Sequence, residues 1–92
     1  MIVRILTEGQ YRLDSSYYDE LNAVDNAIVE AVAAGNESRF RSLLTELLEI
    51  VRRHGIPVSP DEFVESDVIL PPPDTTLEEA RHLFAGDGLL PG

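Results

Sequence analysis

The side chains with a chemistry of their own are few and poorly grouped. Glu78 and His82 stand one helical turn apart, at a spacing that suits a shared metal ion, and His54 is the only other imidazole. Two ligands do not make a site, and no H-x-x-x-H or other completing pattern is present. A paired helix surface explains Glu78 and His82 better. Asp61, Glu62, Glu65 and Asp67 are close in sequence but lack the glycine and alternating spacing of a calcium loop. Ser15, Ser16, Ser38, Ser59, Thr75 and Thr76 all have capping or surface roles available. No G-x-S-x-G elbow and no phosphate loop occurs, and Gly86-Asp87-Gly88 is not followed by a helix that would make it a phosphate cradle. The absence of cysteine removes a thiolate nucleophile, a disulfide scaffold and a Cys-based zinc site. No catalytic, metal-binding or cofactor-binding residue is therefore assigned.

Charge is the more informative signal. The chain of 92 residues carries a net charge of −10, and all of its Lys+Arg complement is arginine. So negative a balance argues against nucleic acid as a ligand, because phosphate binding needs a basic footprint. It also disfavours adsorption to anionic lipid. The acids Asp19, Glu20, Asp25 and Glu30 fall in a stretch, 17–34, with no basic residue. Unpaired acids on one helix repel by about 0.2–0.5 kcal/mol per pair, so helix stability does not explain them. They are candidates for docking a basic partner; the plainer explanation is a solvated acidic face. Tyr18 is a fifth candidate contact, because only one of Tyr17 and Tyr18 can point along the apolar stripe. Arg39, Arg41, Arg52 and Arg53 read instead as surface pairs, Glu37 with Arg41 and Glu49 with Arg53, and as compensation of a helix dipole.

These residues need elements to hold them. The length suits one domain with one modest core, spanning 1–92, and the 43% hydrophobic content is that of a globular chain. Ile2 to Leu13 reads as a β-hairpin turning at Glu8-Gly9, with Thr7 opposite Gln10 and Leu6 opposite Tyr11. Ile2, Leu6, Tyr11 and Leu13, with Arg4 among them, then form the core face. Asp14-Ser15-Ser16 caps a helix over about 17–34, whose stripe is Tyr17, Leu21, Val24, Ile28 and Val32. Gly35 stops it and Asn36 caps a second helix over 37–54, striped by Phe40, Leu43, Leu44, Leu47, Leu48 and Val51. Ser59-Pro60-Asp61-Glu62 predicts a short helical turn through Val64. A third strand over 67–70 is placed beside the first. Pro71-Pro72-Pro73 predicts a rigid extended run. Thr76 with Glu79 opens a short helix over 77–84, followed by the apolar tail Leu89-Leu90-Pro91-Gly92. The fold class is α+β: a hairpin, with the further strand, packed on an antiparallel helix pair with a short C-terminal helix. The N-terminus has no basic region followed by a long apolar stretch, no run reaches the ~20 apolar residues that span a bilayer, and a cytoplasmic location is expected.

Several segments in order resemble a known family. They are Met1-Ile2-Val3-Arg4-Ile5-Leu6, then Glu8-Gly9-Gln10-Tyr11, Val51-Arg52-Arg53-His54-Gly55 with Pro57, Ser66-Asp67-Val68-Ile69-Leu70-Pro71, and Gly88-Leu89-Leu90-Pro91-Gly92. Together they resemble the PspA-associated domain, PspAA, across essentially the whole chain. The resemblance implies a part in the envelope (phage-shock) stress response, beside a PspA-like protein, a long helical coiled coil that coats and remodels membrane. It implies no catalytic residues. Glu8, Gly9 and Tyr11 match the family pattern either as hairpin positions or as contacts.

The expectation is a non-enzymatic adaptor or modulator of a PspA-like coiled-coil protein. It would be cytoplasmic and recruited to the inner membrane surface through that partner, without inserting itself. The edge of the small sheet offers a route to a homodimer. One alternative is a regulator that sequesters a transcription factor. Another is a small metal-dependent enzyme, which would need a cleft gathering Glu62 and His54 or His82 with a further ligand.

Overall fold

A computed structural model describes residues 1–83. The fold is α+β. In chain order it comprises β1 (Ile2–Ile5), β2 (Gly9–Arg12), a 3-10 turn (Ser15–Tyr17), α1 (Tyr18–Ala33), α2 (Glu37–His54), β3 (Ile56–Pro57), β4 (Val68–Leu70) and α3 (Leu77–Leu83). The sheet runs β3-β2-β1-β4. β1 pairs antiparallel with β2, and β2 with β3, whereas β4 lies parallel to β1. The strand expected beside β1 is thus present as β4. The short strand β3 is an addition to the expected sheet.

The hairpin forms in a different register from the one expected. Its loop is Leu6-Thr7-Glu8, closed by the Glu8 N–H donating to the Ile5 carbonyl at 3.0 Å. Thr7 takes the left-handed φ of 75°, unusual for a β-branched residue, and Gly9 opens β2 at φ +124°. Val3 therefore faces Tyr11, and Arg4 faces Gln10. The offset from the expected pairing is an odd number of residues, which turns β1 over relative to β2: Val3 and Ile5 replace Ile2 and Leu6 on the core face, and Tyr11 and Leu13 stay there. Val3, Ile5 and Leu13 are buried with Tyr11 packed against them, while Leu6 is exposed and Ile2 and Arg4 are half-buried. β4 repeats this alternation, with Val68 and Leu70 buried and Ile69 outside.

Local chemistry explains both helix boundaries of the central pair. The Asp14 carboxylate accepts from the Ser16 N–H at 3.1 Å and starts the 3-10 turn. At the far end of α1 the Gly35 N–H donates to Val32 at 3.1 Å and the Asn36 N–H to Ala31 at 2.9 Å. These two bonds form a Schellman motif, which needs the left-handed φ of +68° that Gly35 supplies. Asn36 then caps α2 by accepting from the Arg39 N–H at 3.2 Å. The core is built from Leu21, Val24, Ile28, Ala31 and Val32 of α1 against Phe40, Leu43, Leu44, Leu47, Leu48, Ile50 and Val51 of α2.

Gly55 ends α2 for a reason other than conformational freedom. Its φ is −79°, which any residue adopts. A Cβ there would stand 2.5 Å from the Val51 carbonyl oxygen and 2.9 Å from Tyr11 Cβ. The helix end is pressed onto β2, and the chain passes directly into β3, where Ile56 pairs with Arg12 and Pro57 with Tyr11. Proline is tolerated because β3 is an edge strand.

Two further expectations are corrected. Ser59 to Glu62 makes a single turn, with the Glu62 N–H on the Ser59 carbonyl at 3.0 Å, and no helix continues from it. The Glu62 carboxylate pairs with Arg12 instead of closing a capping box. The proline run does not stay extended: the Thr75 N–H and hydroxyl both donate to the Pro72 carbonyl, at 3.2 and 2.7 Å, and turn the chain. The capping box of α3 forms as expected, with Thr76 N–H to Glu79 at 3.0 Å and Glu79 N–H to the Thr76 hydroxyl at 3.1 Å. These bonds hold the Glu79 carboxyl below its ordinary pKa. Phe84, the 86–88 turn and the apolar tail at 89–92 lie outside the described residues.

An ion pair ties α2 to the hairpin loop. Arg52 Nε donates to Glu8 Oε2 at 3.0 Å, and its Nη2 bonds the other carboxylate oxygen. A third nitrogen reaches Glu49 at 3.2 Å, so Glu49 pairs with Arg52 and not with Arg53. The bidentate bond to Arg52 lowers the Glu8 carboxyl below its ordinary value of 4.5 and raises the Arg52 guanidinium.

This packing sets three stability outcomes. Leu47→Ala removes a fully buried side chain and should cost ~2–5 kcal/mol in denaturant unfolding; a loss below one kcal/mol would show that the α2 stripe is not core. Gly55→Ala should cost about 1–3 kcal/mol, from overpacking against β2; unchanged stability would mean that the junction has slack. Glu8→Gln should cost about 1 kcal/mol at pH 7, because the pair is partly exposed and screened. A carboxyl with a lowered folded pKa stabilises above its unfolded value and loses that contribution as pH falls. The gap between the native protein and Glu8→Gln should therefore close below the ordinary value of 4.5. A gap that persists at pH 3 would assign the effect to something other than this pair.

Candidate interaction surface

Asp19 and Glu20 occupy the first turn of α1 and Glu30 its last. All three are exposed or half-exposed, and among the described residues none of them makes an ion pair. Asp19 and Glu20 gain a few tenths of a kcal/mol from the positive end of the helix dipole. Glu30 sits at the negative end with no basic residue in that turn, so the dipole disfavours it. Tyr18 is half-buried at the start of the helix.

Asp25 does not belong to this face. It is 0% exposed, and it is engaged within the fold. Its position follows from helical spacing, four residues after Leu21 and three before Ile28, which places it on the buried stripe. That spacing is visible in the sequence. The acidic face of α1 therefore comprises Asp19, Glu20 and Glu30, with Tyr18 at its edge.

The candidates for metal chemistry are not brought together. His54, the last residue of α2, stacks on Tyr17 with ring centroids 4.5 Å apart, and the Tyr17 hydroxyl lies 3.1 Å from its Nδ1. This contact fastens the entrance of α1 to the end of α2. Glu62 is engaged with Arg12, and His82 is exposed on α3. Among the described residues no group of three His, Cys, Asp or Glu side chains is placed to hold a metal ion. Glu37 and Arg41 pair at 3.3 Å along α2, as their spacing predicts.

A second surface is built by the segment that carries the acidic stretch Asp61, Glu62, Glu65 and Asp67. Residues 58–67 cross the side of the sheet that faces away from the helices, and several bonds fix them there. The Val58 N–H donates to the Gln10 carbonyl at 2.9 Å. The Gln10 amide donates to the Val64 carbonyl and to the Ser66 hydroxyl, both at 2.9 Å. The Ile2 N–H donates to the Asp67 carboxylate at 2.7 Å, and Arg12 holds Glu62. Between this segment and the hairpin lies a groove of about 630 Å3, lined among others by Arg4, Gln10, Tyr11, Pro57, Pro60 and Phe63. Phe63 is 96% exposed and Ile56, at the adjoining edge strand, is 68% exposed. Phe63 has no aliphatic or aromatic residue three or four positions away, which is the signal that separates it from a helical core position.

The sheet edges are poor templates for further pairing. β3 has only two residues, one of them proline, and β4 has three and runs into Pro71-Pro72-Pro73. Short edges with proline blunt strand addition. Among the described residues no helix is long and apolar enough to cross a membrane.

No curated protein sequence matches the chain, and no solved structure does. The family model of the PspA-associated protein, PspAA, matches residues 1–92. The match takes in the hairpin, both long helices, the groove and the C-terminal segment alike, and on that ground this chain belongs to the PspAA family.

Proposed function

We propose that this protein is a non-enzymatic adaptor that binds a PspA-like coiled-coil protein and modulates it in the envelope stress response. The observation that carries this reading is the family match along the whole chain, because the family is named for its association with PspA. The surface supports it. Asp19, Glu20 and Glu30 present negative charge that no described ion pair neutralises, on a helix whose own stability does not call for all of it. Tyr18 adds an aromatic at the border of that face. A face of this kind suits the basic positions that flank the seam of a coiled coil. Most serine, threonine and histidine side chains are occupied by caps and turns or lie apart on the surface, which suits a binding protein better than an enzyme. We place the protein in the cytoplasm, brought to the inner membrane surface by its partner. Two chains of net charge −10 repel each other, which together with the blunted edges disfavours self-pairing through the sheet.

The test is binding of the purified protein to an immobilised PspA-like protein from the same organism, in low salt. Binding is expected in the micromolar range or tighter. Asp19→Arg with Glu20→Arg should slow association roughly tenfold or more, with a smaller effect on dissociation, and added salt should reduce the difference. No binding at tens of micromolar would sink the adaptor reading; unchanged association in the double variant would remove α1 from the contact.

A further inference from the structure

We infer that the groove beneath residues 58–65 is the anchoring site for the partner, and that its occupant is an amphipathic helix whose apolar stripe is flanked by lysine or arginine. This inference rests on the proposed function and adds to it the surface, and the chemistry, that would hold the complex together. Phe63 is the first observation. An aromatic side chain 96% exposed leaves a large apolar area in water at the rim of a groove that Pro57 and Pro60 also line. Scattered apolar residues on a surface need no explanation, but this one is held in place. The chain on either side is fixed by the bonds from Gln10 to Val64 and Ser66 and by the pairing of Glu62 with Arg12. The backbone that carries Phe63 is thus ordered before any partner arrives, so little ordering entropy remains to be lost on binding. Aromatic side chains at the centre of a contact supply a disproportionate share of binding energy.

Charge selects the occupant. Asp61 and Glu65, on either side of Phe63, are exposed and make no ion pair among the described residues. The lone cation on the groove wall without a described ion pair is Arg4; Glu8 and Glu62, which also line it, are held by Arg52 and Arg12. A helix with an apolar ridge can seat on Phe63 and the prolines, with basic residues reaching Asp61 and Glu65 and an acidic one reaching Arg4. A second copy of this chain would bring another net charge of −10 to the same place, and an anionic lipid surface would also be repelled. The groove and α1 then divide the work: α1 accelerates encounter through its charge, and Phe63 slows departure by being buried.

Phe63→Ala separates these claims, measured for binding to the purified PspA-like protein alongside thermal unfolding and oligomeric state. The variant should unfold within a degree or so of the native protein, since an exposed side chain contributes little to folding. Its dissociation from the partner should accelerate at least tenfold or so, with association nearly unchanged. Phe63→Trp should retain binding. Equal affinity of Phe63→Ala and the native protein overturns the groove while leaving the adaptor reading intact. A drop of several degrees in unfolding temperature would show that Phe63 is covered by its own chain, and loss of a native dimer would show that a second copy covers it; either result overturns the inference. Failure of the native protein to bind removes the proposed function and this occupant with it.

Discussion

Gly55 has no room for a side chain, because the last turn of α2 is pressed against Tyr11 of β2. That contact joins the helical layer to the sheet, and much of the molecule is arranged around it. Arg52 reaches the hairpin loop through Glu8, and His54 stacks on Tyr17 at the start of α1. The final turn of α2 therefore grips the hairpin and the first helix together. The positive charges at this end of α2 sit where the helix dipole is negative, so local electrostatics favours the arrangement. An apolar stripe alone would let α2 rotate or slide on its neighbours. The close approach and the bidentate ion pair fix its position.

The same junction governs the path of the chain beyond residue 55. Leaving α2 without an intervening loop, residues 56–57 pair at once on β2, and the next strand must form on the far side of β1. The connection between them has to cross the outer face of the sheet. A helix over 59–64 would not lay its backbone along Gln10 and Arg12, so the capping signals at Ser59 give way to bonds with those two side chains. Phe63 ends outside for this reason. The most exposed aromatic of the described residues results from how the chain crosses the sheet, and the groove beside it is part of the same crossing.

The sequence is informative where structure is decided locally. The caps at Asp14, Asn36 and Thr76, the stop at Gly35 and the stripe on α2 all depend on residues within one or two turns of each other, and all are readable. So is β4, a short apolar strand that could only join the hairpin. The register of the hairpin is not readable, because it depends on Thr7 adopting a left-handed conformation that glycine would usually supply, and on Glu8 meeting Arg52 from 44 residues away. β3 escapes notice because two residues have no periodicity. At the candidate surface, charge picks out Asp19, Glu20 and Glu30, which lie outside, whereas charge also groups Asp25 with them when its helical spacing places it inside. Phe63 reads as helical only through a capping motif whose acidic member has a better partner in Arg12.

At the centre stands the claim that a PspAA protein acts by contact, through the acidic face of α1 and the groove under residues 58–65. Amide chemical-shift mapping on the isotopically labelled protein, titrated with a PspA-like coiled coil, observes both surfaces at once. Shifts concentrated in residues 18–30 and 58–65 are predicted, with the α2 stripe and the inner face of the sheet unaffected. Shifts confined to other surfaces, or none at a saturating concentration of partner, would contradict the claim.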